Sequence, residues 1–358
     1  MKSGYPGFVC DRGLLKAFYS LLCLVLIFSF GCQSNDANSS VAPSTAASSN
    51  VSSITIDDRD NDGIADLVED QLIQRFAPVV KLHVDEQYLP ANIPWYLSRV
   101  RMRFNVSHGP DDQLLEKGGV NLGSLISQTC HDQVSSLATA PSNFFLEQTD
   151  TSSGDNLDKY REETRKGTEP AGWVCYAHVS SVHPNIHPDM YDVQYIFFYA
   201  YNGDIAQGPT ESAHEADFEH ITVRVEEDLN TIYQIYYSAH DGEGRWYNQQ
   251  TFAGIENGYS LNEVGRPIVY SAINSHASYP WAGRWDRGSI EKPADVTSDG
   301  GLEWDCRQNV ANLGEKLHPR KDMQWIHYSG RWGEIGEMNW TTGPYGPAYQ
   351  NWWNSELE

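Results

Sequence analysis

Residues 217–225, Asp-Phe-Glu-His-Ile-Thr-Val-Arg-Val, constrain this chain more than any other stretch. Ile221, Val223 and Val225 alternate with Thr222 and Arg224, which is the period of a half-buried β-strand. Alternate side chains on a strand share a face, so Asp217 and Glu219 stand in the same row as the three aliphatic residues. Their points of attachment are about 7 Å apart, close enough to share one ion. Carboxylates in such a row need a partner charge, hydrogen bonds or a metal. The chain must therefore build a sheet core, and this strand end is the leading candidate for a working site.

Other segments extend the sheet. Residues 192–201 (DVQYIFFYAY) are almost continuously apolar, as a buried strand is, and 231–239 and 267–274 read as further strands. Turns such as Asn202-Gly203 and Asp241-Gly242-Glu243-Gly244 keep the connections short. Residues 107–168 are polar and poorly periodic, so loops with short elements are expected there. The expected class is mainly β: an antiparallel β-sandwich with long loops over residues 75–358. The 20 Tyr and 11 Trp suit β cores and also suit a glycan or lipid-headgroup surface.

The N-terminus reads as targeting. Lys2, Arg12 and Lys16 flank an apolar run, Ala17 to Phe30, of signal-peptide length. It ends in Ser29-Phe30-Gly31-Cys32, which resembles a bacterial lipoprotein signal with Cys32 as the lipidated residue. The alternative is an ordinary secretory signal cut near Gly31. Residues 33–54, rich in Ser, Ala and Asn, have the composition of a flexible tether. The expectation is a cell-envelope, extracytoplasmic protein, an outer-membrane lipoprotein held by its lipid anchor or else a secreted one. Cys130, Cys175 and Cys306 remain outside the signal, enough for one disulfide and one odd thiol, with the pair left open. A formal net charge of -23 excludes nucleic acid as a partner, since phosphate binding needs a basic surface.

Residues 55–74 hold a second signal. Asp58, Asp60, Asp62, Asp66 and Glu69 fall at positions 1, 3, 5, 9 and 12 of a loop with Gly63 at position 6. That is the oxygen pattern of a Ca²⁺ loop, in which Gly permits the sharp turn. The run resembles the calcium loops of thrombospondin type 3 repeats, and a short helix is expected from Glu69 through Arg75. A structural Ca²⁺ is expected here.

Five blocks in order resemble the vacuolar protein sorting-associated protein 62 family: residues 76–97, 192–204, 214–225, 265–280 and 330–347. The resemblance spans about residues 75–355 and defines no biochemical activity. Where that family has Gly-Asp-Trp-Glu-His, this chain has Ala216-Asp217-Phe218-Glu219-His220. A looser, motif-level likeness joins His214, Asp217 and Glu219 to the necrosis- and ethylene-inducing peptide-like toxins. That likeness implies an acidic cavity holding a divalent cation that docks sugar headgroups.

Strand-end positions place His214, His220, His240, Asp241, Asn274 and His276 around the acidic pair, with His220 on the opposite face by alternation. His214, Asp217, Glu219 and His276 are the candidate catalytic residues. Asp217, Glu219 and His240 are the candidate ligands of a second divalent cation, Mg²⁺, Ca²⁺, Mn²⁺ or Zn²⁺. Three readings follow. A metal docks a sugar or anionic headgroup; or it supports hydrolysis of a phosphoester or glycan; or the carboxylates pair with Arg224, Arg266 or Arg284 without metal. A metal-free acid–base pair is a variant of the second.

Overall fold

The apolar run at 192–201 becomes the central strand of the molecule, and its two buried faces explain why it does not alternate. The computed structural model describes residues 57–106, 111–126, 143–149, 157–183, 187, 189–204, 212–249, 258–288 and 292–353. The signal, Cys32, the 33–54 tether, residues 55 and 56 and Cys130 lie outside the described residues. Among the described residues no helix is long and apolar enough to cross a membrane.

The largest sheet has six strands in the order β15 (Val310–Asn312), β5 (Cys175–Ser181), β6 (Tyr191–Asn202), β7 (His214–Val225), β8 (Ile232–Tyr237) and β9 (Arg245–Asn248). All neighbours are antiparallel except β15 and β5. Along β6, Ile196, Phe198 and Ala200 enter one core, while Val193, Tyr195, Phe197 and Tyr199 enter another. Each such large side chain contributes about 1.5–3 kcal/mol by leaving water.

The first core is closed by a three-stranded sheet, β3 (Asp112–Leu115), β2 (Val100–Phe104) and β4 (Phe144–Gln148), with Trp325, Trp332, Trp352 and Trp353 from the C-terminal loops. The second is closed by a four-stranded sheet, β11 (Ser278–Tyr279), β10 (Ile268–Ser271), β1 (Val79–Lys81) and β14 (Glu303–Asp305). Helix α1 (Asp66–Phe76) packs Leu72, Ile73 and Phe76 into that same core. A pair of short strands, β12 (Gly283–Trp285) and β13 (Asp295–Thr297), completes the β structure.

The protein is thus mainly β with mostly antiparallel sheets, as the alternation predicts. The layering differs from a simple two-sheet sandwich: the six-stranded sheet has a packed layer on each side. The predicted helix at 69–75 is longer, because Asp66 and Glu69 both sit in its first turn, where the helix dipole favours negative charge. The 107–168 region supplies β3 and β4, with a short helix over Leu122–Ile126 and another over Leu157–Arg165.

Candidate functional site

Two acidic regions stand out, both beside residues of the second core. At the end of β7, Asp217 and Glu219 project from the face that carries Ile221 and Val223 inward. Asp217 is buried and Glu219 is partly exposed. The turn between β10 and β11 comes down on them. It is tight, with the Ala272 amide donating to the Ala277 carbonyl at 2.9 Å and the His276 amide to the Ala272 carbonyl at 3.0 Å. Asn274 and His276 reach φ of 65° and 56° to make it.

That conformation drops the His276 ring flat onto Tyr199, 3.7 Å between centroids and 4° between planes. His276 Nδ1 then lies 3.0 Å from Asp217 Oδ2, and Nε2 lies 3.2 Å from the Tyr88 carbonyl. Glu86 Oε1 stands 3.8 Å from the same Nε2. Both ring nitrogens face acceptors, so the ring is held as an imidazolium. Burial opposes this charge, but the hydrogen bonds and charges of Asp217 and Glu86 outweigh it and lift the His276 pKa to about 9. Burial likewise opposes the Glu86 charge, but His276 and the amides of Tyr88 and Asn274 hold that carboxyl below its usual range.

Glu219 has a different fate. Ser238 Oγ donates to its Oε2. Burial, with Asp217 beside it, pushes the Glu219 carboxyl well above the usual range. His240, at φ 42°, turns away to Asp295, with Nε2 2.6 Å from Oδ2. Asp295 is fully enclosed and also accepts from Tyr279 at 2.7 Å and Ser275 at 2.8 Å. Burial opposes its charge, yet His240 and these hydroxyls hold its carboxyl low.

A cleft of about 350 Å³ opens beside this network, lined by Tyr247, Tyr279, Trp285, Glu243, Arg287 and Lys292 among others. Arg287 Nε and Lys292 Nζ both donate to Glu243, at 2.7 and 2.6 Å.

The remaining sequence candidates fall elsewhere. His214 is not brought to the acidic pair: its Nδ1 donates to the Ala216 carbonyl at 2.8 Å, and Nε2 meets Asn202 Nδ2 at 2.9 Å. Ala216, at φ 58°, interrupts the strand there. Its neighbour Glu215 is thereby turned onto the Gln148 amide at 2.9 Å, and burial lifts its pKa to about 8. His220 lies on the opposite face, stacked on Trp352 at 4.1 Å, and burial lowers its pKa to about 3. Asn274 binds the Asp204 carbonyl through its side chain at 2.7 Å. The Asp241 side chain lies outside the described part.

Two expectations are corrected. Asp217, Glu219 and His240 do not converge on one point. Among the described residues, the groups of three side chains whose ligand atoms lie within 4.8 Å of one another are Asp58/Asp60/Asp62 and Asp60/Asp66/Glu69. His240 is drawn off by Asp295, which no strand-end argument from β7 alone includes. Nor do the arginines serve the acidic pair: Arg224 forms a bidentate pair with Asp192, both contacts 2.8 Å. Arg266 pairs with Asp305 at 2.7 Å and Arg284 with Asp286 at 3.0 Å.

The loop before α1 has the opposite character. Asn61 and Gly63 take φ of 59° and 91°, and the amides of Gly63 and Ile64 donate to Asp58 and Asp62 at 3.2 and 2.7 Å. Asp60 is buried with neither carboxylate oxygen hydrogen-bonded, and Asp58 Oδ1 and Asp62 Oδ2 are likewise enclosed without a donor. Arg320 reaches in from the C-terminal region to Asp66 and Glu69, with Asp60 3.6 Å away. Arg59 also pairs with Asp66. Burial raises the Asp62 carboxyl to about 6, and burial with Asp60 beside it raises Glu69 to about 8. Five carboxylates face two guanidinium groups here, and their enclosed oxygens without donors could hold a cation.

Sequence reasoning missed Glu86, Ser238, Ser275, Tyr279, Asp295 and Arg320. Asp295 had the same signal as Asp217: an acid within an otherwise inward-facing strand, Ala294 to Thr297. Nothing local marks Arg320, because its role exists only through a contact 254 residues away.

Comparison with known proteins agrees with the five sequence blocks. The family model described as vacuolar protein sorting-associated protein 62 matches residues 29–341. TDA6 of Saccharomyces cerevisiae, provisionally named for vacuolar protein sorting, is 23% identical over 323 residues. The match covers 76% of this chain and 65% of that protein, so this chain spans less than two thirds of its relative. Among solved structures, one titled as a toxin fold for microbial attack and plant defense gives a TM-score of 0.35 at 12% identity, over 79% of this chain and 88% of that one. Necrosis and ethylene inducing protein 2 from the agent of cocoa's witches' broom disease gives 0.32 at 14% identity, over 71% and 78%.

Proposed function

The chain belongs to the vacuolar protein sorting-associated protein 62 family, and on that premise we propose that it is an extracytoplasmic, lipid-anchored binding protein. Its site at the end of β7 takes a hard divalent cation and, through it, a sugar or anionic headgroup. The observation that carries this reading is Glu219: a partly exposed carboxyl beside Asp217, with Ser238 as its one hydrogen-bond partner among the described residues. Asp217 and Glu219 offer oxygen, while His276 and His240 are committed to carboxylates. Oxygen donors suit Ca²⁺, Mg²⁺ or Mn²⁺ better than Zn²⁺. Ligand hydroxyls and water would complete the shell. The aromatic and cationic walls of the adjoining cleft suit a sugar ring carrying negative charge. The Asp58–Glu69 loop holds a separate, structural Ca²⁺ at the start of α1.

Hydrolysis of a phosphoester or glycan is the second reading. It is favoured by Glu219 alone: a carboxyl held protonated next to a second carboxylate is the arrangement of a general acid and its partner.

The test is binding to vesicles carrying acidic glycolipid, with and without Ca²⁺, for the wild type and Asp217→Asn/Glu219→Gln. Loss of binding both with chelator and in the double variant, with no product released, supports the binding reading. Equal binding by the double variant overturns it. Released sugar or phosphate that the double variant does not release moves the assignment to hydrolase.

A further inference from the structure

Two cysteines lie inside the second core, one on a strand and one in the 3-10 turn that leads from β14 to β15. Cys175 opens β5 of the six-stranded sheet, and Cys306 follows β14 of the four-stranded sheet across the core. Both are completely buried and share one hydrophobic cluster with Trp173 and Trp304. Backbone bonds bring them together: the Cys175 amide donates to the Asn309 carbonyl at 3.0 Å, and the Asn309 amide to the Cys306 carbonyl at 3.2 Å. The Cys306 amide in turn donates to Pro78, just before β1, at 3.1 Å. The Cys175 thiol faces the Tyr176 carbonyl at 3.7 Å, and both cysteines are free thiols here.

We propose that Cys175 and Cys306 form a disulfide that staples β5 to the turn between β14 and β15, leaving Cys130 as the odd thiol. This goes beyond the binding reading and draws only on its extracytoplasmic part, because oxidation needs a compartment that does not keep thiols reduced. The oxidant is a protein disulfide of the thiol–disulfide oxidoreductase class. One cysteine thiolate attacks that disulfide and expels one of its sulfurs; the second cysteine thiolate attacks the mixed disulfide and expels the other. One S–S bond forms and one breaks, the two electrons pass to the oxidant, and the two thiol protons end on its released dithiol. The exchange happens before the core closes, since in the folded chain burial pushes the Cys306 thiol up and keeps it unreactive. The bond closes a long loop of chain, which restricts the unfolded state.

Non-reducing peptide mapping tests it in two arms: the chain recovered from its cell envelope, and the chain refolded in a buffered mixture of oxidised and reduced glutathione. A cross-linked 175–306 peptide in both arms supports the proposal. Cross-linking on refolding alone supports the pairing and counts against the compartment. Both residues alkylated after refolding, or either joined to Cys130, overturns the pairing. The Cys175→Ala/Cys306→Ala variant keeps the test independent of any folding defect. It should melt on the order of 5 °C lower than the oxidised wild type, and reductant under denaturing conditions should bring the wild type to the same refolded behaviour.

Discussion

The Asp58–Glu69 loop and the end of β7 are both rich in buried carboxylate, and they solve the same electrostatic problem in opposite ways. The loop leaves Asp60 with no hydrogen bond to either oxygen, and its cationic partners sit at the rim on Asp66 and Glu69. The β7 site brings in counter-charge from distant elements: His276 for Asp217 and Glu86, His240 for Asp295, and the Ser238 hydroxyl for Glu219. The loop's enclosed oxygens are therefore the ones left open to an outside cation. The β7 carboxylates are already braced by partners from the chain itself.

The sharpest way to break this contrast is His276→Ala. It strands Asp217 and Glu86 in the core, and removing one partner of a buried pair costs about 3–5 kcal/mol. Chemical denaturation should show that loss with or without Ca²⁺. A stability change below about 1 kcal/mol would mean the site is not braced by this ring.

Next in size is calcium at the loop. Binding at the loop should add about 2.7 kcal/mol when free Ca²⁺ is a hundredfold above that site's dissociation constant. Asp58→Asn/Asp60→Asn should lose that share in thermal scans, while Asp217→Asn/Glu219→Gln retains it.

The two regions also separate by pH. The His276 pKa is raised, to about 9 from 6.5, so its contribution is complete below pH 6.5 and is lost as pH climbs through 9. Without calcium, the loop acids with raised pKa values, Asp62 at about 6 and Glu69 at about 8, add to this loss between about pH 4 and 8. Saturating Ca²⁺ should remove the loop's share, read from urea midpoints, and leave the loss from His276 between pH 6.5 and 9 together with that from Glu215, whose pKa is raised from 4.5 to about 8. His276→Gln should remove the His276 part and leave the Glu215 part.

The smallest effect is expected from Glu219→Gln alone. Burial disfavours the Glu219 charge and a Gln amide oxygen can still accept from Ser238, so stability should change by less than about 0.5 kcal/mol. Vesicle binding should nonetheless weaken.

What the sequence made legible follows the same division. The acidic cluster of the loop was readable because its carboxylates lie within twelve consecutive residues. At β7, alternation placed Asp217 and Glu219 on the inward face with Ile221 and put His220 opposite. The turn after β10 put His276 near them. The rest was hidden because it depends on tertiary contact. Asp295 captures His240 from a two-stranded pair far along the chain, and Glu86 arrives from the turn after β1. Ala216, an ordinary residue in the sequence, takes the left-handed conformation that diverts His214 and Glu215. The third layer was likewise unreadable, since a continuous apolar strand says that both faces are covered but not by what.

The most direct test of the account is metal stoichiometry, measured on chain purified without chelator and equilibrated with Ca²⁺. Wild type is compared with Asp58→Asn/Asp60→Asn and with Asp217→Asn/Glu219→Gln. The account predicts two ions in the wild type and one in each variant. Equal metal in the wild type and the Asp217/Glu219 variant would contradict it, leaving the β7 cluster as a self-neutralised network without a cation of its own.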